Sequence, residues 1–115
     1  AALTGDELYV PFSPEGAALA LDVSPLTEDA TDTRITYELD RTTTEAGAYP
    51  LVLISYQLAC STYEDASDAA NVKAFLSYVA SEDGQARAAD PSVAGSAPLS
   101  EELRTKVLAA IDSIS

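Results

Sequence analysis

Few of the residue types that carry chemistry at neutral pH are present in this sequence. The 115-residue chain has no histidine and a single cysteine, Cys60. The commonest general base and the commonest transition-metal ligand are therefore both missing, which removes catalytic triads and zinc hydrolases from consideration. Cys60 has no imidazole to deprotonate it and no second cysteine to pair with, so it is expected to be a small buried hydrophobe. Three carboxylate pairs, Glu28-Asp29, Glu64-Asp65 and Glu82-Asp83, lack the alternating spacing and central glycine of a calcium loop and read as solvated loop acids. The five glycines form neither G-x-G-x-x-G nor a P-loop, so no backbone cradle for a nucleotide is expected. One polar cluster could meet an anion: Arg41, Thr42, Thr43 and Thr44 place a guanidinium fork beside three hydroxyls. A strand-end loop with an Asp40-Arg41 surface pair accounts for the same residues equally well. The reading is of a protein that is not an enzyme, with no cofactor and no metal.

Composition sets the outer bounds. Apolar residues make up 47% of the chain and charged residues 22%, an ordinary globular balance with enough length for one core. Six Lys and Arg against nineteen Asp and Glu give a net charge of -13, which repels nucleic acid and anionic membrane surfaces at long range. The longest mostly apolar run, residues 51–60, is interrupted by Ser55 and Gln57 and is too short to span a bilayer, so the chain is expected to be soluble. It contains no methionine and opens on Ala-Ala-Leu-Thr-Gly, which reads as a segment of something longer.

The elements that would position these residues follow from pattern. A polar lead-in over residues 1–6 precedes a short strand over 7–12, ended by Pro11. Ser13, Pro14 and Glu15 start a helix over 14–21 with a hydroxyl cap, a first-position proline and an acid at the positive end of the dipole. Residues 22–33 have the composition of an exposed, mobile loop, and the alternation of Ile35, Tyr37 and Leu39 predicts a half-buried strand. Pro50 breaks pairing, and residues 51–61 (LVLISYQLACS) predict the centre of a small mixed sheet. Val72, Phe75, Leu76 and Val79 fall at i, i+3, i+4 and i+7, predicting a helix over 67–80 that resumes through Arg87 beyond a break near Asp83. A final helix over 100–114 is capped by Ser100. The fold class is α/β with about three principal helices. The expected core is Val72, Phe75, Leu76, Val79, Leu103, Val107, Ile111, Leu53, Ile54 and Leu58.

Several of these stretches taken together carry a family resemblance. Residues 40–50 (DRTTTEAGAYP), LVLISYQLACS, NVKAFLSYVASEDGQ and the ending APLSEELRTKVLAAIDSIS resemble, in order and spacing, the phosphate-binding subunit of the high-affinity phosphate ABC transporter. In that family an aromatic-Pro pair opens a returning strand, a VKxFLxYxxSxxGQ helix follows, and the last helix opens on Pro-Leu-Pro. Here Pro98-Leu99-Ser100 departs from that pattern.

The resemblance implies a C-terminal portion of a two-lobed type II periplasmic-binding protein. Residues 1–48 would be the end of the second lobe, a weak match, and residues 49–115 the return crossover and the C-terminal part of the first lobe. Tyr49 and Pro50 would mark the hinge. Phosphate would be met only through the full-length protein, because the family's ligating motifs lie N-terminal to the matched region, and Arg41, Thr42, Thr43 and Thr44 are the weak candidates here. The implied partner is the membrane permease, and the implied location is extracytoplasmic, periplasmic or on a cell-surface lipoprotein. Strand edges left open by a missing half invite self-association. The other reading is a self-contained α/β protein-interaction module with an acidic surface.

Overall fold

The computed structural model of the chain describes residues 2–4 and 7–115, with side chains from Tyr9 onward. Two strands, β1 (Ala2–Thr4) and β2 (Glu7–Val10), pair antiparallel in a ribbon. Of the expected polar lead-in, residues 1, 5 and 6 lie outside the described residues, and Ala2–Thr4 is strand rather than loop.

Four helices follow among the described residues, each begun by the side chain the sequence offers. In α1 (Pro14–Asp22) the Ser13 hydroxyl accepts from the Gly16 N–H at 2.9 Å, with Pro14 in the first turn. In α2 (Ala66–Ala80) the Asp65 carboxylate accepts from the Ser67 N–H at 2.7 Å. In α4 (Glu101–Asp112) the Ser100 hydroxyl faces the Leu103 N–H, and Glu101 and Glu102 sit at the positive end of the dipole.

The fourth helix, α3 (Glu82–Ala89), is a full element where only a turn or two was expected. The break before it falls at Ser81, two residues before Asp83. Ser81 closes α2 by donating its N–H to the Tyr78 carbonyl, and it caps α3 by accepting from the Gly84 N–H at 3.1 Å. Gly84 is buried in that corner, and a Cβ there would lie 1.9 Å from the Tyr78 carbonyl oxygen. Backbone so close leaves room only for glycine.

Residues 25–38 overturn the expectation of a free loop followed by a strand. They fold back on themselves: Glu38 donates to the Pro25 carbonyl, Thr27 to that of Thr36, and Thr31 and Arg34 exchange both backbone bonds across the tip. The pairing is confined to isolated bridges, Leu26 with Tyr37 and Thr31 with Arg34. Short hydroxyl and carboxyl side chains fasten this hairpin where apolar residues are sparse. The Thr31 hydroxyl accepts from the Arg34 N–H, and Asp29 accepts from Thr27 and pairs with Arg34 at 2.8 Å.

The predicted small mixed sheet around residues 51–61 is not formed among the described residues. The stretch has the branched and aromatic composition of a central strand but no strand on either side to receive its ladder bonds. Its side chains are consequently uncovered: Leu53 is 92% and Leu58 97% exposed. Cys60 is exposed as well, correcting its expected burial, because it lies on the same uncovered stretch.

The core is therefore small and rich in alanine: Val10, Ala20, Ala48, Ala69, Ala80, Leu103 and Ile111 are its buried apolar residues. Of the predicted core, Leu103 and Ile111 are buried, while Val72, Leu76, Val79, Val107 and Ile54 are half-buried. Phe75, Leu53 and Leu58 are exposed instead. Helix α2 packs against α3 on one side and α4 on the other, so its predicted apolar stripe is only partly covered. The molecule is a plate 18 Å thick and 54 Å long, with a radius of gyration of 15.8 Å. A compact chain of this length would have about 13 Å.

Gly84→Ala is expected to destabilise the chain by about 2 kcal/mol, because overpacking against backbone outweighs the gain of about 1 kcal/mol in helix propensity. A thermal melt followed at 222 nm checks this; an unchanged or raised midpoint would mean that the α2–α3 corner is not as tight as described.

Candidate functional site

The loop at residues 40–50 holds every side chain that the sequence nominates for contact with an anion. Its local conformation follows from short polar side chains bonding to nearby backbone. Asp40 accepts from both the N–H and the hydroxyl of Thr42, at 2.9 and 2.8 Å. The Thr43 hydroxyl accepts from the Glu45 N–H at 3.2 Å. Gly47 then turns the chain with a φ of 84°, a conformation that favours glycine.

Arg41 does not face open solvent as a free fork. One terminal nitrogen donates to the Pro50 carbonyl at 2.9 Å and the other to the Val52 carbonyl at 3.0 Å. Carbonyls two residues apart point to the same edge in extended backbone, and the guanidinium grips two such carbonyls at the start of the 50–54 stretch. The structure thus brings Arg41 to Pro50 and Val52, and Thr42 to Asp40. It does not converge the donors of Arg41, Thr42, Thr43 and Thr44 on one point.

Tyr49 and Pro50 are anchored from the other side. The Tyr49 N–H donates to the Gly16 carbonyl at 2.9 Å, and Pro50 is buried. Gly16 is tight in this contact, with a Cβ there lying 3.0 Å from the Gly47 carbonyl and 3.2 Å from the Tyr49 Cβ. Helix α1, the 40–48 loop and the Tyr49-Pro50 segment are locked together at this point.

Shallow depressions mark the surface elsewhere among the described residues. One, of about 350 Å³, lies between the 57–63 stretch and α2, lined by Gln57, Leu58, Tyr63, Asn71, Phe75 and Leu76. It contains no charged group and is poorly suited to a dianion. The second, of about 260 Å³, lies against α3 and α4, where Glu82 and Glu101 oppose the one guanidinium of Arg104. Gln85 seals its floor, accepting from the Leu99 N–H and donating to the Val79 carbonyl. The sequence reading gave Gln85 no role, although it stands at the end of the NVKAFLSYVASEDGQ motif.

The acidic pairs serve local structure. Hydrogen bonds from Thr27, and then the Arg34 guanidinium, hold the Asp29 carboxyl below its ordinary range. Hydrogen bonds from the hydroxyl and N–H of Ser67 do the same for Asp65, and those of Ser92 for Asp90. Glu82 pairs with Arg104 at 3.8 Å. Among the described residues no group of three or more acidic or thiol side chains could hold a metal ion, and no helix is long and apolar enough to cross a membrane.

Comparison with known proteins gives one relationship. The chain is similar to the phosphate-binding protein PstS2 of Mycobacterium bovis, with 39% identity over 72 residues, which are 63% of this chain and 18% of that protein. The same figures hold for the phosphate-binding protein PstS 2 of Mycobacterium tuberculosis. The chain thus spans less than a fifth of the length of the curated relatives it matches. No family model matches it, and no solved structure does.

Two outcomes follow from this geometry. Arg41→Lys is expected to lower stability by about 1 kcal/mol, since one ammonium cannot grip two carbonyls as the fork does; a melting midpoint unchanged from the parent would remove Arg41 from its anchoring role. The Asp65 carboxyl has a lowered pKa when folded, so its charge stabilises above the ordinary range near 4 and is lost as pH falls through the folded value. The stability advantage of the parent over Asp65→Asn is therefore expected to shrink between pH 6 and pH 3, read as the difference between their melting midpoints. A constant difference would contradict the charged cap.

Proposed function

We propose that this chain is a C-terminal part of an extracytoplasmic phosphate-binding protein that delivers phosphate to a membrane ABC permease, and that it serves as scaffold and crossover rather than as the phosphate-contacting part. The observation that carries this is the 39% identity over 72 residues to phosphate-binding proteins. The anchored Tyr49-Pro50 crossover and the uncovered apolar stretch behind it are consistent with that role. On this reading residues 1–48 close the second lobe, and residues 49–115 return to and complete the first. Tyr49 and Pro50 are the hinge, held by Gly16 and Arg41, and the phosphate ligands belong to segments outside this chain. Arg41, Thr42, Thr43 and Thr44 stiffen the loop that leads into the crossover.

The exposed Leu51, Leu53, Leu58, Phe75 and Tyr78 favour one other reading, a self-contained small α/β protein-interaction module with an acidic surface. Such a module needs no larger protein around it and no tie to phosphate.

One measurement tests the scaffold role, and a second separates it from the interaction module. Titration calorimetry of the 115-residue chain with inorganic phosphate, with sulfate alongside, is expected to give no heat and no rise in melting temperature. A full-length relative whose matching 72 residues are replaced by those of this chain is expected to keep phosphate binding. Tight, phosphate-selective binding by the chain alone would overturn the scaffold role and direct mutation to Arg41. A chimera that folds by circular dichroism but no longer binds phosphate would favour the interaction module.

A further inference from the structure

We infer that the uncovered backbone edge at residues 51–55 is an interface for a second copy of this chain, paired antiparallel across a two-fold axis. The interface is that of the 115-residue chain by itself and does not rest on phosphate; on the scaffold reading, segments outside this chain meet the same edge in the full-length protein.

Three observations carry it. The first is area. The chain exposes 7803 Å², whereas a compact chain of its mass exposes about 6,000 Å². The excess is roughly twice the ~800 Å² that each partner contributes to a stable interface.

The second is preorganisation of one edge. In extended backbone the N–H and C=O groups of alternate residues point to opposite edges. Arg41 occupies the carbonyls of Pro50 and Val52 and so covers the even-numbered edge. Leu51 and Leu53 are exposed while Val52 and Ile54 are half-buried, the period-two alternation of an extended chain. The backbone groups of Leu51, Leu53 and Ser55 face the other edge, and none of them bonds to another described residue. The chain entropy of straightening this stretch is already lost, so pairing needs only the bonds themselves.

The third is charge. Residues 46–63 contain no Asp, Glu, Lys or Arg in a chain of net charge -13. Two such copies repel almost everywhere except along this stretch, where an edge can meet its own copy without bringing carboxylates together. A two-fold pairing centred on Leu53 sets Leu51 of one copy opposite Ser55 of the other and places the two Leu53 side chains side by side.

Sedimentation equilibrium of the 115-residue chain tests this. A species of twice the chain mass is expected, with a dimer fraction that rises from 20 mM to 500 mM NaCl as repulsion between the two copies is screened. Leu53→Asp and Leu53→Lys, at a side chain that is 92% exposed, should each leave the helical circular dichroism unchanged and give single-chain mass. Their equimolar mixture should restore the dimer, because opposite charges then meet on the axis. Single-chain mass for the parent at every salt concentration, or a dimer that Leu53→Asp leaves intact, overturns the proposal. Neither result depends on phosphate, so the outcome is separate from that of the calorimetry and the chimera.

Discussion

Three hydrogen bonds hold the backbone of residues 49–52, and the arrangement of the plate turns on them. The Tyr49 N–H is fixed to the Gly16 carbonyl of α1, and the carbonyls of Pro50 and Val52 are fixed to Arg41. From that point the chain runs on without ladder partners until the Cys60 N–H meets the Tyr63 hydroxyl and the backbone of Ser61 and Tyr63 bonds to Ser115. An apolar stretch is thus pinned at both ends and covered nowhere along its outer face. Such a stretch is stable only if its surroundings hold it, because its own side chains gain little by exposure to water.

The rest of the molecule reflects the same constraint. With the apolar stretch outside, the interior closes on alanines of α1, α2 and the loop before Tyr49 and on Val10, Leu103 and Ile111 rather than on the aromatic side chains. Polar devices supply local order where burial cannot: the hydroxyl and carboxylate caps of all four helices, the Thr27–Asp29–Arg34 cluster of the hairpin, and Gln85 bridging α3 to the segment before α4. These fix geometry well but contribute modestly to stability, so the molecule is expected to be marginal on its own.

The helices were legible in the sequence because their signals are local. Ser13-Pro14-Glu15 and Ser100 announce the starts of α1 and α4, and the ends of α1, α2 and α4 fall within a few residues of the expected ones, whereas the cap at Ser81 that begins α3 was not read. The hairpin at residues 25–38 was not legible, since isolated bridges joined by Thr and Asp side chains have the composition of a loop. Residues 51–61 were misread for a different reason. Composition reports that a stretch suits the middle of a sheet, but whether a sheet exists depends on neighbours that the stretch itself does not specify. Arg41 was nominated as a weak anion contact; that its fork would be spent on the carbonyls of Pro50 and Val52 could not be read from spacing. The family resemblance lay in the order of motifs, and the similarity to phosphate-binding proteins over 72 residues agrees with it.

Amide hydrogen exchange followed residue by residue, at successive dilutions of the chain, tests most directly whether residues 51–59 are held in place but uncovered. In dilute solution their amides should exchange far faster than those in the middle of α2 and α4, and they should gain protection as the concentration is raised. Strong protection of the 51–59 amides at the highest dilution would mean that the chain covers this edge itself, and would contradict the account.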